Sequence, residues 1–206
     1  MRNKIPLYAL YLFFPAGLFA CLLKAGFFFQ PHRLLLLAGG LVCGFVLALI
    51  FHEFGHFLGA KTGNAKFVSI QVFGFVLYRK KKKLCLCFEP FSGIFGQCLM
   101  KPGIFKKRYF YAYFLGGCAL NFLLFLLLSI KALNCLNLWT GSFYFILALM
   151  QLAFAYVNIV PMQDGQQEGN DGYLAKCLHS DPNFMRSFCT EMEQEEALLN
   201  AKGYKK

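Results

Sequence analysis

Residues 34–57 read LLLLAGGLVCGFVLALIFHEFGHF, an uncharged apolar run that ends in His52-Glu53-Phe54-Gly55-His56. A helix needs about 20 predominantly apolar residues to cross the hydrocarbon core of a bilayer, and this run supplies them. Ionisable side chains set against such a helix are costly and mark function, so the cluster at its end is the first candidate site. Residues four apart on a helix project from one face. His52 and His56 can therefore hold one metal ion while Glu53, one step round, addresses a water on that ion. Zinc suits these donors: it lowers the pKa of its water to about 7, and an adjacent carboxylate can take the proton as the water attacks a carbonyl. If the three groups merely reached for lipid headgroups, their joint placement would go unexplained. Gly55 between them permits close packing of a second helix.

The rest of the chain is of the same kind. Its 206 residues are 58% hydrophobic and 15% charged, too apolar for an ordinary soluble domain. Further apolar blocks at residues 5–29, 109–130 and 138–160 bring the expected spans to four. The first follows Arg2 and Lys4 as a secretory signal would, but a signal's apolar region runs to about 7–15 residues. It is read as a retained span. The formal charge of +11 is concentrated between the second and third spans, in Lys61, Lys66, Arg79, Lys80, Lys81, Lys82, Lys83, Lys101, Lys106, Lys107 and Arg108, opposed there by Glu89 alone. By the positive-inside rule that loop is cytoplasmic, Arg2 and Lys4 put the N-terminus on the same side, and an even number of spans returns the C-terminus there. Topology accounts for the charge, and no nucleic-acid partner is expected. The nine cysteines are expected to stay mostly as thiols, and Cys85 and Cys87 have the wrong spacing for a zinc knuckle.

Within the basic loop, residues 66–78 are rich in Val, Phe and Ile, and residues 84–88 alternate apolar side chains with thiols. With the basic run as their turn they predict a β-hairpin of two short strands. Residues 91–103, with three glycines and a proline, are expected to form an irregular or interfacial loop. The stretch after Pro161, with Asp164, Gly165, Gly169, Asp171 and Gly172, reads as a flexible polar loop. The fold class is an all-α integral membrane protein: four transmembrane helices with a small β-hairpin in the cytoplasmic loop between the second and third. Residues 1–33 form the first span and turn, and residues 34–172 the core, with spans at 34–58, 109–130 and 138–160. Residues 173–206 form a cytoplasmic tail too short for a second core.

Two histidines leave a catalytic zinc short of a protein ligand, since such sites use three and keep one position open. The topology puts His32 on the far side of the membrane, and His179 lies in the tail. The carboxylates returned to the His52 side are Asp164 and Asp171, each followed by glycine. One of them is expected to complete the site.

Together these features resemble the site-2 protease family of intramembrane zinc metalloproteases. The resemblance covers residues 34–173. It rests on the H-E-x-x-H at His52, on Asn158-Ile159-Val160-Pro161 as the family's N-x-x-P, and on Asn170-Asp171-Gly172-Tyr173 as the Asp-Gly that follows. Gly116-Gly117-Cys118-Ala119-Leu120-Asn121 is similar to the family's glycine-rich turn and asparagine, with Cys118 where a proline is common. From Asn158 the distance is longer to Asp171, and shorter to Asp164, than in the family's commonest form. Members with a longer insertion ending in Asp-Gly-Tyr favour Asp171, with Asp164 as the alternative. The resemblance implies Glu53 as catalytic base, His52, His56 and Asp171 as Zn2+ ligands, and Asn121 and Asn158 as substrate-positioning residues. It implies a zinc-dependent endopeptidase in a lipid bilayer, cutting a membrane-embedded protein or peptide substrate. The minimal core suggests a bacterial inner membrane, with the site toward the cytoplasm. The alternative is a non-catalytic membrane protein that binds a peptide or partner helix and keeps a structural metal site, where a carboxylate at Glu53 has no use.

Overall fold

The computed structural model describes residues 31–80, 83–89, 96–163 and 169–201. The first expected span, residues 5–29, and the alternative ligand Asp164 lie outside the described residues. In chain order the elements are helix α1 (Pro31–Lys61), strands β1 (Lys66–Val72), β2 (Phe75–Lys80), β3 (Lys83–Phe88) and β4 (Gly96–Lys101), and helices α2 (Lys107–Leu133), α3 (Leu138–Ile159), α4 (Asp171–Ser180) and α5 (Phe184–Ala201). Three stretches, Leu34–Lys61, Lys107–Leu133 and Leu138–Ile159, are long and apolar enough to cross a membrane. They correspond to the second, third and fourth expected spans. Their outward faces carry exposed apolar side chains such as Leu35, Val42, Leu58, Leu123, Leu127 and Ile130.

Among lipid tails the hydrophobic effect does not hold helices together, so backbones approach over small residues. Helix α1 does this on two faces. Toward α3, Gly40 lies under Ile146 and Gly44 under Met150, where an added Cβ would come 2.7 Å from Met150 Cγ. Toward α2, Gly55 and Gly59 stand one turn apart against Gly116 and Ala112, and a Cβ at any of the three glycines would collide with a carbonyl group of the facing helix. This seam sets the stretch that carries His52 and His56 directly against α2.

The strands form one antiparallel sheet in the order β3-β2-β1-β4, which corrects the expected two-stranded hairpin in two places. First, residues 66–78 are not one strand. They break at Phe73 and Gly74, both at positive φ (51° and 81°), so that Val72 pairs with Phe75 across a two-residue turn. Such a turn matches the twist of the strands it joins. Glycine adopts it freely, whereas Phe73 does so against its steric preference, with its ring centroid 5.8 Å from that of Phe45. Second, part of the expected irregular loop is β4, which pairs with β1 from Gly96 opposite Val72 to Lys101 opposite Lys66, with a bulge between Phe67 and Ser69. Gly96 reads in the sequence as a breaker, but its role is close approach: a Cβ there would come 2.5 Å from Glu53 Oε1 and from Leu49 Cδ1.

The segment after Gly172 packs into the same core as the rest of the chain. Leu178 of α4 and Phe188 and Met192 of α5 are buried with Val68, Leu99, Met100, Phe110 and Phe114. The rings of Phe114 and Phe188 meet edge to face at 5.0 Å, an arrangement that aromatic quadrupoles favour. On the surface, Lys101 of β4 pairs with Glu193 of α5 at 3.1 Å. These contacts hold α4 and α5 against the sheet and α2, and so fix the first turn of α4, where Asp171 sits.

Candidate metal centre

His52 and His56 lie one turn apart on α1, and Asp171 lies in the first turn of α4. His52 Nε2 is 2.9 Å from Asp171 Oδ2, His56 Nε2 is 3.3 Å from the same oxygen, and the two Nε2 atoms are 3.1 Å apart. Zinc bonds to nitrogen and oxygen run about 2.0–2.2 Å, so tetrahedral ligand atoms stand about 3.3–3.5 Å from each other. The observed triangle is slightly smaller than a face of such a tetrahedron. His56 Nδ1 is 2.8 Å from the Tyr113 carbonyl oxygen and donates to it, which turns Nε2 toward the centre, where it would offer a lone pair to a bound ion. Such an outer hydrogen bond is what orients a ligating imidazole. Burial pushes the Asp171 carboxyl up, but the two imidazoles, through charge and hydrogen bonds, pull it well below the usual carboxylate range. The triangle is thus two imidazoles and a carboxylate, a donor set that suits a metal ion.

Neighbouring residues hold the triangle in place. Asn170 caps α4, its Oδ1 accepting from the amides of Tyr173 at 3.1 Å and Met162 at 2.9 Å, while its Nδ2 donates to the carbonyls of Val157 at 2.7 Å and Val160 at 2.6 Å. One side-chain amide, fully used, ties the start of α4 to the end of α3. Gly172 packs so tightly that a Cβ would collide with the Ile159 carbonyl, which supplies a steric reason for the Asp-Gly pair. From the other side Gly117 of α2 faces both imidazoles, and a Cβ there would lie 2.7 Å from His52 Cε1 and 2.8 Å from His52 Nδ1 and His56 Nε2.

Glu53 is 4% exposed, and its Oε2 has no hydrogen-bond partner among the described residues. A buried polar atom left unpaired calls for an explanation. Asn121 is fully buried on α2, donates from Nδ2 to the Ala48 carbonyl at 3.2 Å and leaves Oδ1 unpartnered among the described residues. Asn158, half-buried near the end of α3, donates to the Phe154 carbonyl of its own helix at 3.0 Å. Neither asparagine belongs to the ligand triangle.

Two residues without an assigned role in the sequence stand in or beside the centre. Tyr113 donates its hydroxyl to the Cys98 carbonyl on β4 while its own carbonyl receives His56, so one residue links the sheet to a candidate ligand. No sequence signal marks it. Cys118 is 2% exposed and directs its thiol at Asp171 Oδ2 over 3.7 Å. It forms with His52 and Asp171 a group whose ligand atoms all lie within 4.8 Å of one another. Its one signal is a thiol in the place of a proline. Compared with protein-family models, with curated proteins and with solved structures, the chain matches none.

Proposed function

We propose that the chain is a zinc-dependent intramembrane endopeptidase of site-2 protease type, acting on a peptide bond within or beside a membrane-embedded helix. The observation that carries this reading is the pairing of the ligand triangle with the buried, unpartnered Glu53 Oε2. His52, His56 and Asp171 hold the ion, which when bound polarises a carbonyl and acidifies a water. Glu53 takes a proton at Oε2 and returns it to the leaving amine. A purely structural site needs no base there. The structural-site reading draws its support from Cys118, which supplies a fourth potential ligand.

Sheet and helices suggest how a substrate reaches the site. A membrane helix makes all its backbone bonds internally, so it must unwind before a carbonyl can approach the ion. Strand β4 lies at the edge of the sheet and passes Glu53 at Gly96. Tyr113 meets the Cys98 carbonyl from α2, and strand alternation turns the main chain of Gly96 the same way as that of Cys98. An extended segment that met this edge at its Gly96 end would run past Glu53. The exposed apolar side chains Phe75, Leu84, Leu86 and Phe88, with Arg79, Lys80 and Lys83 beside them, suit a sheet resting on anionic headgroups. The same basic loop favours a cytoplasmic site.

The test is cleavage of a reporter whose target is a single membrane span, by purified protein of measured zinc content. Glu53→Gln is expected to hold zinc as the wild type does while turnover falls by about 10²-fold or more. A Glu53→Gln protein that cuts at the native rate refutes the assignment.

A further inference from the structure

Cys118 follows Gly117 on α2, at the point where that helix touches both imidazoles. Its Sγ is 3.7 Å from Asp171 Oδ2. Around a zinc ion with bonds of about 2.3 Å to sulfur and about 2.1 Å to oxygen, two such ligand atoms at a tetrahedral angle stand about 3.6 Å apart. Toward Asp171 the thiol therefore already keeps the distance of a co-ligand, and with His52 and Asp171, though not His56, it forms a group that spans no more than 4.8 Å. One neighbouring group points to a ligand as well: Glu53 is 4% exposed, yet its Oε2 lacks a partner among the described residues.

We propose that Cys118 is a fourth ligand of the metal ion and that its thiolate closes the site in a resting form. This rests on the metal-site reading above and goes beyond it, because catalysis needs three protein ligands and a position left open. As the sulfur–metal bond forms, one water leaves that position and the thiol proton passes to solvent, with no change of oxidation state. A rotation of the Cys118 side chain between staggered positions opens the site again. A soft thiolate among the donors also biases the site toward zinc and away from magnesium or manganese. A thiolate that never leaves makes the site purely structural, so the exchange separates the two functional readings.

The test uses the full chain, purified in detergent and loaded with cobalt(II), which reports sulfur ligation through a thiolate-to-cobalt charge-transfer band in the near ultraviolet. The wild type is expected to bind cobalt and show the band. Cys118→Ser and Cys118→Ala are expected to keep cobalt and lose the band, while Cys98→Ala, at a buried thiol of β4, keeps both. Excess azide is expected to shift the visible spectrum of Cys118→Ala and to leave that of the wild type unchanged, because its fourth position is filled. Cobalt bound to the wild type without the band, a band that survives in Cys118→Ser, or an equal azide shift in both proteins overturns the proposal and leaves the triangle standing. A wild type that binds no cobalt overturns the triangle too.

Discussion

Replacing Gly117 by alanine adds a single methyl group between the two imidazoles. That Cβ would lie 2.7 Å from His52 Cε1 and 2.8 Å from His52 Nδ1 and His56 Nε2, so both rings must retreat by about 0.6–0.7 Å to reach an ordinary contact of 3.4 Å. They have little freedom to do so, because Gly55 and Gly59 already seat α1 against the α2 backbone. Metal–ligand distances tolerate about 0.2 Å, roughly a third of the displacement required. Disturbing groups that orient metal ligands costs about 10–100-fold in affinity, or about 1.4–2.7 kcal/mol, and Gly117→Ala is expected to lose at least this much. The helix itself does not suffer, since alanine is the better helix former by about 1 kcal/mol. Gly39→Ala is the matching control: it makes the same change on α1 where a Cβ meets nothing within 4 Å. Zinc affinity is read by competition with a chromogenic chelator, and helicity by circular dichroism. Gly117→Ala binding zinc within about twofold of the wild type would refute the placement of both rings.

Asn170→Ala removes four hydrogen bonds, one that caps α4 and three that tie its start to the end of α3 and the residues just after it. It is expected to lower unfolding stability by about 1 kcal/mol or more through the lost cap and to weaken zinc binding about tenfold, both measurable on one preparation by thermal unfolding and chelator competition. Cys85, half-buried on β3 in the basic loop, is expected to resist an impermeant thiol reagent in sealed cells and to react after permeabilisation. Labelling from outside would reverse the orientation argued from charge.

The site was legible where chemistry fixes spacing and obscure where packing does. His52, Glu53 and His56 declare themselves because a helix puts residues four apart on one face; topology narrows the third ligand to Asp164 and Asp171, and only the family resemblance favours Asp171. The sheet was half legible. Its apolar strands could be recognised, but the turn at Phe73 and Gly74 could not, because a phenylalanine at positive φ runs against its steric preference and is held there by surrounding structure. Strand β4 was hidden because Gly96, Pro102 and Gly103 look like breakers. At Gly96 the missing side chain instead makes room for Glu53, and that neighbour comes from another element. The same holds for Gly117 and Cys118: their meaning depends on which helix faces them, and nothing within α2 records it. Asn170 enters the sequence reading only as the residue before Asp171, and the fold alone shows that it caps α4 and that its other bonds reach back to Val157 and Val160.

The central claim is that His52, His56 and Asp171 form one metal site, and elemental analysis of the purified chain tests it directly. The wild type is expected to carry about one zinc ion per chain, His52→Ala and His56→Ala to carry none, and Asp171→Ala to lose most of it while Asp164→Ala keeps it. A wild type without zinc, or an Asp171→Ala protein that retains zinc where Asp164→Ala loses it, would contradict the account.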